Sequence, residues 1–181
     1  MKGIVFNEFF GLVDETFGPN MTETIIVDAD LPNEGGYTGV GHYDASEMQS
    51  LVGHLSARTE VPVRDLLLAF GKYLLKSFSR NHANYFQSCS DIFQFAQAVE
   101  HQIHVDVLKL YPDAELPRLA PTLESETRLS LLYRSSRHMA DLAEGLLLGA
   151  IEHYGDTVDL ERTDLPDEDG DQVARFTLRR R

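Results

Sequence analysis

The sequence predicts an α+β fold, in which an N-terminal helical portion is followed by an antiparallel sheet with one inserted helix. Apolar residues recur at spacings of three and four through roughly the first two thirds of the chain, which is typical of helices. The last third instead contains short extended segments bounded by turn residues. Because the 181 residues contain no internal repeat and no linker rich in proline or serine, we expect residues 1–181 to form a single domain.

The first two helices are predicted from apolar spacing and from the residues that interrupt it. The first covers residues 2–17 and is ended by Gly18 and Pro19. A shorter helix is predicted over residues 21–29. The stretch over residues 33–41 is predicted to be a loop, because glycines recur in it.

Three longer helices complete the N-terminal portion. The first begins at a cap formed by Asp44 or Ser46 and runs to about residue 58. The second covers residues 63–78, which are rich in leucine and alanine. The third covers residues 91–110 and ends at a Tyr-Pro pair, because a residue that precedes proline disfavours helical geometry.

The C-terminal third supplies the predicted sheet. Residues 118–123 and 127–136 have an extended pattern, and residues 138–153 return to helical spacing. Residues 157–163 and 172–179 then form a closing hairpin around a turn rich in acidic residues.

Composition narrows the class of protein. The chain is 43% hydrophobic and 25% charged, as in soluble globular domains. Its 29 acidic residues outnumber 16 basic ones, and a net charge of −13 repels phosphate backbones and anionic lipid. We therefore expect no nucleic-acid and no membrane partner. The N-terminal residues lack the apolar core of a signal peptide, so we expect a cytoplasmic protein.

Cysteine usage excludes two further kinds of site. Cys89 is the only cysteine, so the chain forms no internal disulfide and no zinc cluster of the multi-cysteine type. For Cys89, a small buried or incidental thiol is favoured over a redox role.

A polar triplet is the first candidate site. Tyr133, Ser135 and Arg137 occupy alternate positions of a predicted strand, so their side chains are expected to point to the same side. A phenol, a hydroxyl and a guanidinium together suit a ligand with two acid groups, such as a porphyrin with its two propionates. The alternative is an exposed strand face, on which these residue types are ordinary.

One of the seven histidines is a candidate metal ligand. In the predicted helix over residues 91–110, His104 lies beside an apolar stripe, whereas His101 points towards solvent. Taken alone, a histidine in such a position is more often a packed or hydrogen-bonded core residue than a ligand. The stripe consists of Ile92, Ala96, Val99, Ile103, Val107 and Leu110.

The two motifs together resemble the haem-nitric-oxide/oxygen-binding (H-NOX) family, which is related to the haem domain of soluble guanylate cyclase. The triplet matches the family signature Tyr-x-Ser-x-Arg. The segment over residues 103–112, followed by Pro117, resembles the family segment that carries the proximal haem histidine. Residues 1–3, 67–78 and 144–149 also resemble family segments, so the resemblance covers most of the chain. The middle loop and the C-terminal hairpin match less well.

This resemblance implies a fold that encloses a buried haem b. His104 is then the axial iron ligand, Pro117 shapes the porphyrin, and the triplet of Tyr133, Ser135 and Arg137 holds the propionates. A neutral imidazole suits ferrous iron and leaves the opposite axial position open to a diatomic gas. The second ring nitrogen of His104 requires a hydrogen-bond acceptor, which the sequence does not identify.

The resemblance also implies the distal pocket and its choice of gas. Oxygen-binding members of the family carry a tyrosine, which hydrogen-bonds dioxygen, at the position that Leu142 occupies here. Leucine has no donor, so we expect binding of nitric oxide and carbon monoxide without a stable oxygen complex. The same positions also suit plain core packing. The implied pocket consists of Val5, Leu74, Phe78, Leu142 and Leu146.

The expected function is that of a haem-based nitric oxide sensor of the stand-alone bacterial type. No phosphate-binding glycine loop, Ser-His-Asp group or paired catalytic carboxylates indicate an enzyme. At 181 residues the chain leaves no room for a fused cyclase or chemoreceptor module. The expected partner is a signalling histidine kinase, or a cyclase or phosphodiesterase that acts on cyclic-di-GMP.

Two alternatives belong to other classes. The first is a haem-free, acidic interaction or ligand-binding module, which would be colourless. The second is a haem enzyme or oxygen carrier, which is disfavoured because no distal acid, base or donor is evident.

Overall fold

The helical portion and the sheet follow one another along the chain in the computed structural model, which describes residues 1–181. The α+β order expected from the sequence is confirmed. The helices are α1 (Gly3–Phe17), α2 (Pro19–Ala29), α3 (Ala45–Thr59), α4 (Val63–Asn81), α5 (Ala83–Gln87), α6 (Ile92–Ala98), α7 (His104–Leu110) and α8 (Ala140–Tyr154). The strands are β1 (Arg118–Ser125), β2 (Arg128–Ser135), β3 (Val158–Glu168) and β4 (Asp171–Arg180).

Most helices begin or end at the residues that the sequence predicted. Gly18, with a φ of 87°, ends α1, and Pro19 begins α2 at the first helical position, where its missing N–H has no consequence. Asp44 caps α3 because its carboxylate accepts the N–H of Ser46 at 2.8 Å. The helix α5 was not predicted, since five residues are too few to display a helical period.

The predicted continuous helix over residues 91–110 is interrupted by a π-helical turn over Val99–Ile103. The N–H of His104 bonds to the carbonyl of Val99, which closes this wider turn. A stripe drawn at the period of an α-helix therefore does not continue into α7. Ile92 and Ala96 are buried as expected, but Leu110 is 72% exposed, so the predicted stripe is wrong beyond the turn.

The sheet has the strand order β1-β2-β4-β3, and every pair is antiparallel. The hairpin between β3 and β4 turns at Asp169 and Gly170, both with positive φ, as the favoured two-residue turn requires. Pro166 lies within β3, which is tolerated because β3 is an edge strand.

Two hydrophobic cores lie on either side of the pair formed by α4 and α8. The helical core is built mainly from α1, α3 and α4, and the sheet core from α6, α8 and the strands. Consecutive residues of α4 pack into different cores, since Leu74 belongs to the helical core and Leu75 to the sheet core. Likewise Leu142 of α8 belongs to the helical core and Leu147 to the sheet core, so α4 and α8 connect the two halves. Cys89 is free and packs partly buried against the sheet core.

The close approach of α4 and α8 depends on glycines. A Cβ added to Gly71 would lie 2.5 Å from the carbonyl oxygen of Leu142, and one added to Gly145 would lie 3.0 Å from the Cα of Gly71. Both obstacles are backbone atoms, which yield only if the helices separate.

We expect Gly145→Ala to lower the free energy of unfolding by about 1–3 kcal/mol, because overpacking outweighs the gain in helix propensity. Gly53→Ala is the matched control, since Gly53 is an exposed helical residue with open space around its Cα. That control should stabilise the protein by up to about 1 kcal/mol. Urea denaturation of both variants checks this, and equal effects would contradict tight packing at Gly145.

Candidate functional site

His104 is the first residue of α7 and its side chain is 16% exposed. Its Nδ1 lies 3.0 Å from Oε2 of Glu100, four residues earlier. Because a carboxylate only accepts, Nδ1 carries the proton and donates, which leaves the lone pair on Nε2. An imidazole fixed in this tautomer is ready to bind a metal through Nε2. The acceptor that the sequence did not identify is therefore Glu100.

Glu100 also connects His104 to the sheet. The same Oε2 atom accepts the backbone N–H of Leu119 at 3.1 Å. Leu119 lies in β1 and pairs with Tyr133 in β2. The structure thus places the candidate ligand His104 close to the polar triplet, although about 30 residues separate them in sequence.

The triplet occupies the end of β2 and the turn that follows it. Tyr133 and Ser135 are only 2% and 7% exposed, so the alternative of an open strand face is wrong for both. Arg137 lies beyond the end of the strand, and the prediction that strand alternation aligns all three is wrong for it. Instead, Ser135 Oγ accepts the N–H of Arg137 at 3.2 Å and turns the chain there.

The guanidinium of Arg137 differs from that of an arginine in an ordinary ion pair. It is half-buried, and burial lowers its pKa from the usual value, with the Glu115 carboxylate acting as a charge nearby rather than as a hydrogen-bonded partner. Its neighbour Arg134, by contrast, bonds directly to the carboxylates of Asp169 and Asp171. A partly desolvated cation without a bonded anion would be stabilised by an acidic ligand.

Tyr133 contributes a neutral donor to the same region. Burial raises the pKa of its phenol above the ordinary value, so the hydroxyl keeps its proton. A buried phenol and hydroxyl next to a guanidinium without a bonded anion fit the propionates of a porphyrin. Leu108 lies one turn after His104, on the same side of α7, and is 42% exposed, so an uncovered apolar side chain lies on the histidine side of the helix.

Pro117 lies half-buried in the segment that joins α7 to β1, directly before the strand. Its fixed φ stiffens this connection. The connection therefore joins the helix of His104 to the strand whose residue Leu119 bonds to Glu100.

The five apolar positions assigned to the distal pocket meet in the helical core. Leu74 and Leu142 are buried in it, and Val5, Phe78 and Leu146 pack against it. Phe78 and Leu146 also contact the sheet core, which places them between the two halves.

Two phenols lie in or against the same core, and both are engaged elsewhere. The hydroxyl of Tyr37 donates to Glu47 at 2.7 Å, and that of Tyr43 accepts the N–H of Thr38 at 2.9 Å. The Tyr37 hydroxyl therefore donates to Glu47 and not to a ligand beside Leu142, and the five assigned positions carry no hydrogen-bond donor in their own side chains.

A family model described as haem-NO-binding matches residues 2–162. The chain belongs to this family. It is an H-NOX domain, a haem-based gas-binding sensor, and this membership disfavours the haem-free module. H-NOX domains are sensor domains rather than catalytic ones as a rule. No helix of the chain is long and apolar enough to cross a lipid bilayer.

Solved H-NOX structures resemble the chain over its whole length. The Fe(II) unliganded H-NOX protein from K. algicida is 34% identical, with a TM-score of 0.92 over 100% of this chain and 97% of that one. The S. oneidensis H-NOX protein in the Fe(II)NO state is 26% identical, with a TM-score of 0.85 over 100% and 99%. A mutant H-NOX from T. Tengcongensis, at 19% identity and a TM-score of 0.91 over 100% and 98%, shows the fold alone. No curated protein sequence is significantly similar to the chain.

Proposed function

We propose that this H-NOX domain binds nitric oxide at a ferrous haem b held by His104, and passes the signal to a separate protein. The observation that carries this proposal is the presence of an imidazole with a fixed tautomer together with a half-buried guanidinium that lacks a bonded anion. Iron and propionates are the two parts of haem that those groups would bind.

Each candidate residue would then have a specific role in haem binding. His104 Nε2 would bind the iron, while Tyr133, Ser135 and Arg137 would hold the propionates. Pro117 would press on the macrocycle from the connection between α7 and β1. A bound haem would supply an iron atom that can bind a diatomic gas.

The distal pocket would discriminate between gases because it offers no hydrogen-bond donor. Bound oxygen carries partial negative charge and needs a donor, whereas nitric oxide and carbon monoxide need one far less. Leu142 and its apolar neighbours supply none. The S. oneidensis relative, solved in its Fe(II)NO state, supports nitric oxide as the ligand.

The signal would pass from the segment that follows α7 to the N-terminal helix α1 through direct contacts between them. Lys2 Nζ lies 3.0 Å from Asp113 and 4.6 Å from the ring centroid of Tyr111, just after α7. Because Lys2 directly precedes α1, a shift of α7 would move that helix. Ligand binding then biases two arrangements that a partner distinguishes.

The proposed partner is a signalling histidine kinase, or a cyclase or phosphodiesterase of cyclic-di-GMP. The net charge of −13 would favour a basic patch on it. We further propose that the domain is not an enzyme and that it works in the cytoplasm.

Absorption spectra of the purified ferrous protein test the choice of gas. We expect a haem spectrum that changes on addition of nitric oxide or carbon monoxide and that shows no stable oxygen binding in air. The apolar surroundings of Leu142 are the physical reason. A protein that takes up no haem, or one that holds oxygen persistently, would contradict the proposal.

A further inference from the structure

Glu100 receives two hydrogen bonds on one oxygen atom. Its Oε2 accepts Nδ1–H of His104 at 3.0 Å and the N–H of Leu119 at 3.1 Å. The contact with Leu119 was not evident in the sequence, because Leu119 comes from β1. We infer that Glu100 is a positioning residue that would strengthen the bond of His104 to haem iron and would keep His104 bound in the presence of nitric oxide. This inference rests on the proposed function.

The chemical type of the acceptor matters. A hydrogen bond from Nδ1–H to a carboxylate is charge-assisted and roughly twice as strong as one to a neutral acceptor. Partial transfer of that proton places negative charge on the ring, which makes Nε2 a better donor to a metal. Glu100 is half-buried, so solvent screens this interaction less than it screens an exposed pair.

The carboxylate is also held in place. Leu119 lies on the edge strand β1, where a backbone N–H that does not face β2 needs an acceptor from outside the sheet. Glu100 lies in the π-helical turn that ends at His104, on the same side of the helix. Rotation of the carboxylate away from the imidazole would therefore also break the bond to Leu119.

This arrangement affects what happens when a strong ligand binds opposite His104. If nitric oxide weakens the bond between the iron and the imidazole, a weak imidazole donor would be lost. A donor strengthened by Glu100 resists this loss. We therefore expect His104 to stay bound to the iron in the presence of nitric oxide. The positions of α7 and β1 would then change without release of the histidine.

The test compares Glu100→Gln with Asp106→Asn in the haem-loaded protein. Asp106 is the matched control, because its carboxylate also lies close to His104 in sequence but bonds to Lys109 and Tyr85 instead. Resonance Raman spectra of the ferrous protein should show a lower iron–histidine stretching frequency in Glu100→Gln and an unchanged one in Asp106→Asn. Transfer of haem to an acceptor protein should be about 10-fold to 100-fold faster in Glu100→Gln.

Addition of nitric oxide supplies the second readout. The unchanged protein and Asp106→Asn should retain His104 on the iron, and Glu100→Gln should lose it. An unchanged stretching frequency in Glu100→Gln overturns the role of Glu100 but leaves the proposed function standing, whereas absence of haem overturns the proposed function first. Glu100→Ala serves as a second variant. If both Glu100 variants fail to fold while Asp106→Asn folds, Glu100 is a structural residue and the inference is wrong.

Discussion

Replacement of His104 by glycine is expected to abolish stable haem binding. His104 is the imidazole whose tautomer Glu100 fixes and whose Nε2 remains available. Loss of the ligand itself should weaken haem binding by more than the roughly 100-fold seen when only a supporting residue is changed. Free imidazole should restore the ferrous haem spectrum, because it can occupy the space that the side chain leaves. Haem retention is measured by absorption after gel filtration.

The matched control for this prediction is His101→Gly. His101 lies on the same helical stretch but is exposed, so its replacement carries a similar backbone penalty without touching the site. It should retain haem with an unchanged spectrum. If His104→Gly keeps the spectrum of the unchanged protein, the ligand assignment is wrong.

Introduction of a donor into the distal pocket is expected to produce stable oxygen binding. Leu142 is buried in the helical core, and a tyrosine there would direct its hydroxyl into apolar surroundings. A hydrogen bond to a partly charged ligand is worth about 1.5–3 kcal/mol, which slows oxygen loss by about 10- to 100-fold. Stopped-flow measurement of oxygen dissociation from Leu142→Tyr checks this.

Leu142→Phe separates the hydroxyl from the added bulk. Both variants place a ring at a buried position and carry a similar overpacking cost of about 1–3 kcal/mol. Only Leu142→Tyr should bind oxygen stably. Equal oxygen binding by both variants would show that pocket shape, rather than the missing donor at Leu142, decides which gas is held.

Much of the fold was predictable because short-range chemistry determines it. Gly18, Pro19 and Asp44 end or begin helices through their own backbone preferences or side chains. The π-helical turn over Val99–Ile103 was not predictable from apolar spacing. It inserts extra backbone into a stretch that otherwise has ordinary helical spacing, so the predicted stripe fails only after the turn.

For the candidate site, the strand positions of two residues were predictable from the sequence, and the rest of its geometry was not. Tyr133 and Ser135 share a strand as alternation requires, but Arg137 reaches the region through a turn that Ser135 stabilises. Glu100 was missed although it lies four residues before His104, a spacing that places two helical side chains side by side. Its contact with Leu119 depends on tertiary structure, which no local pattern reveals.

A crystal structure of the ferrous, haem-loaded protein tests the central claim most directly. We expect iron bonded to Nε2 of His104, Nδ1 still donating to Glu100, and the propionates hydrogen-bonded to Tyr133, Ser135 and Arg137. Haem bound elsewhere, or the imidazole of His104 turned away from the iron, would contradict the proposed gas-sensing site.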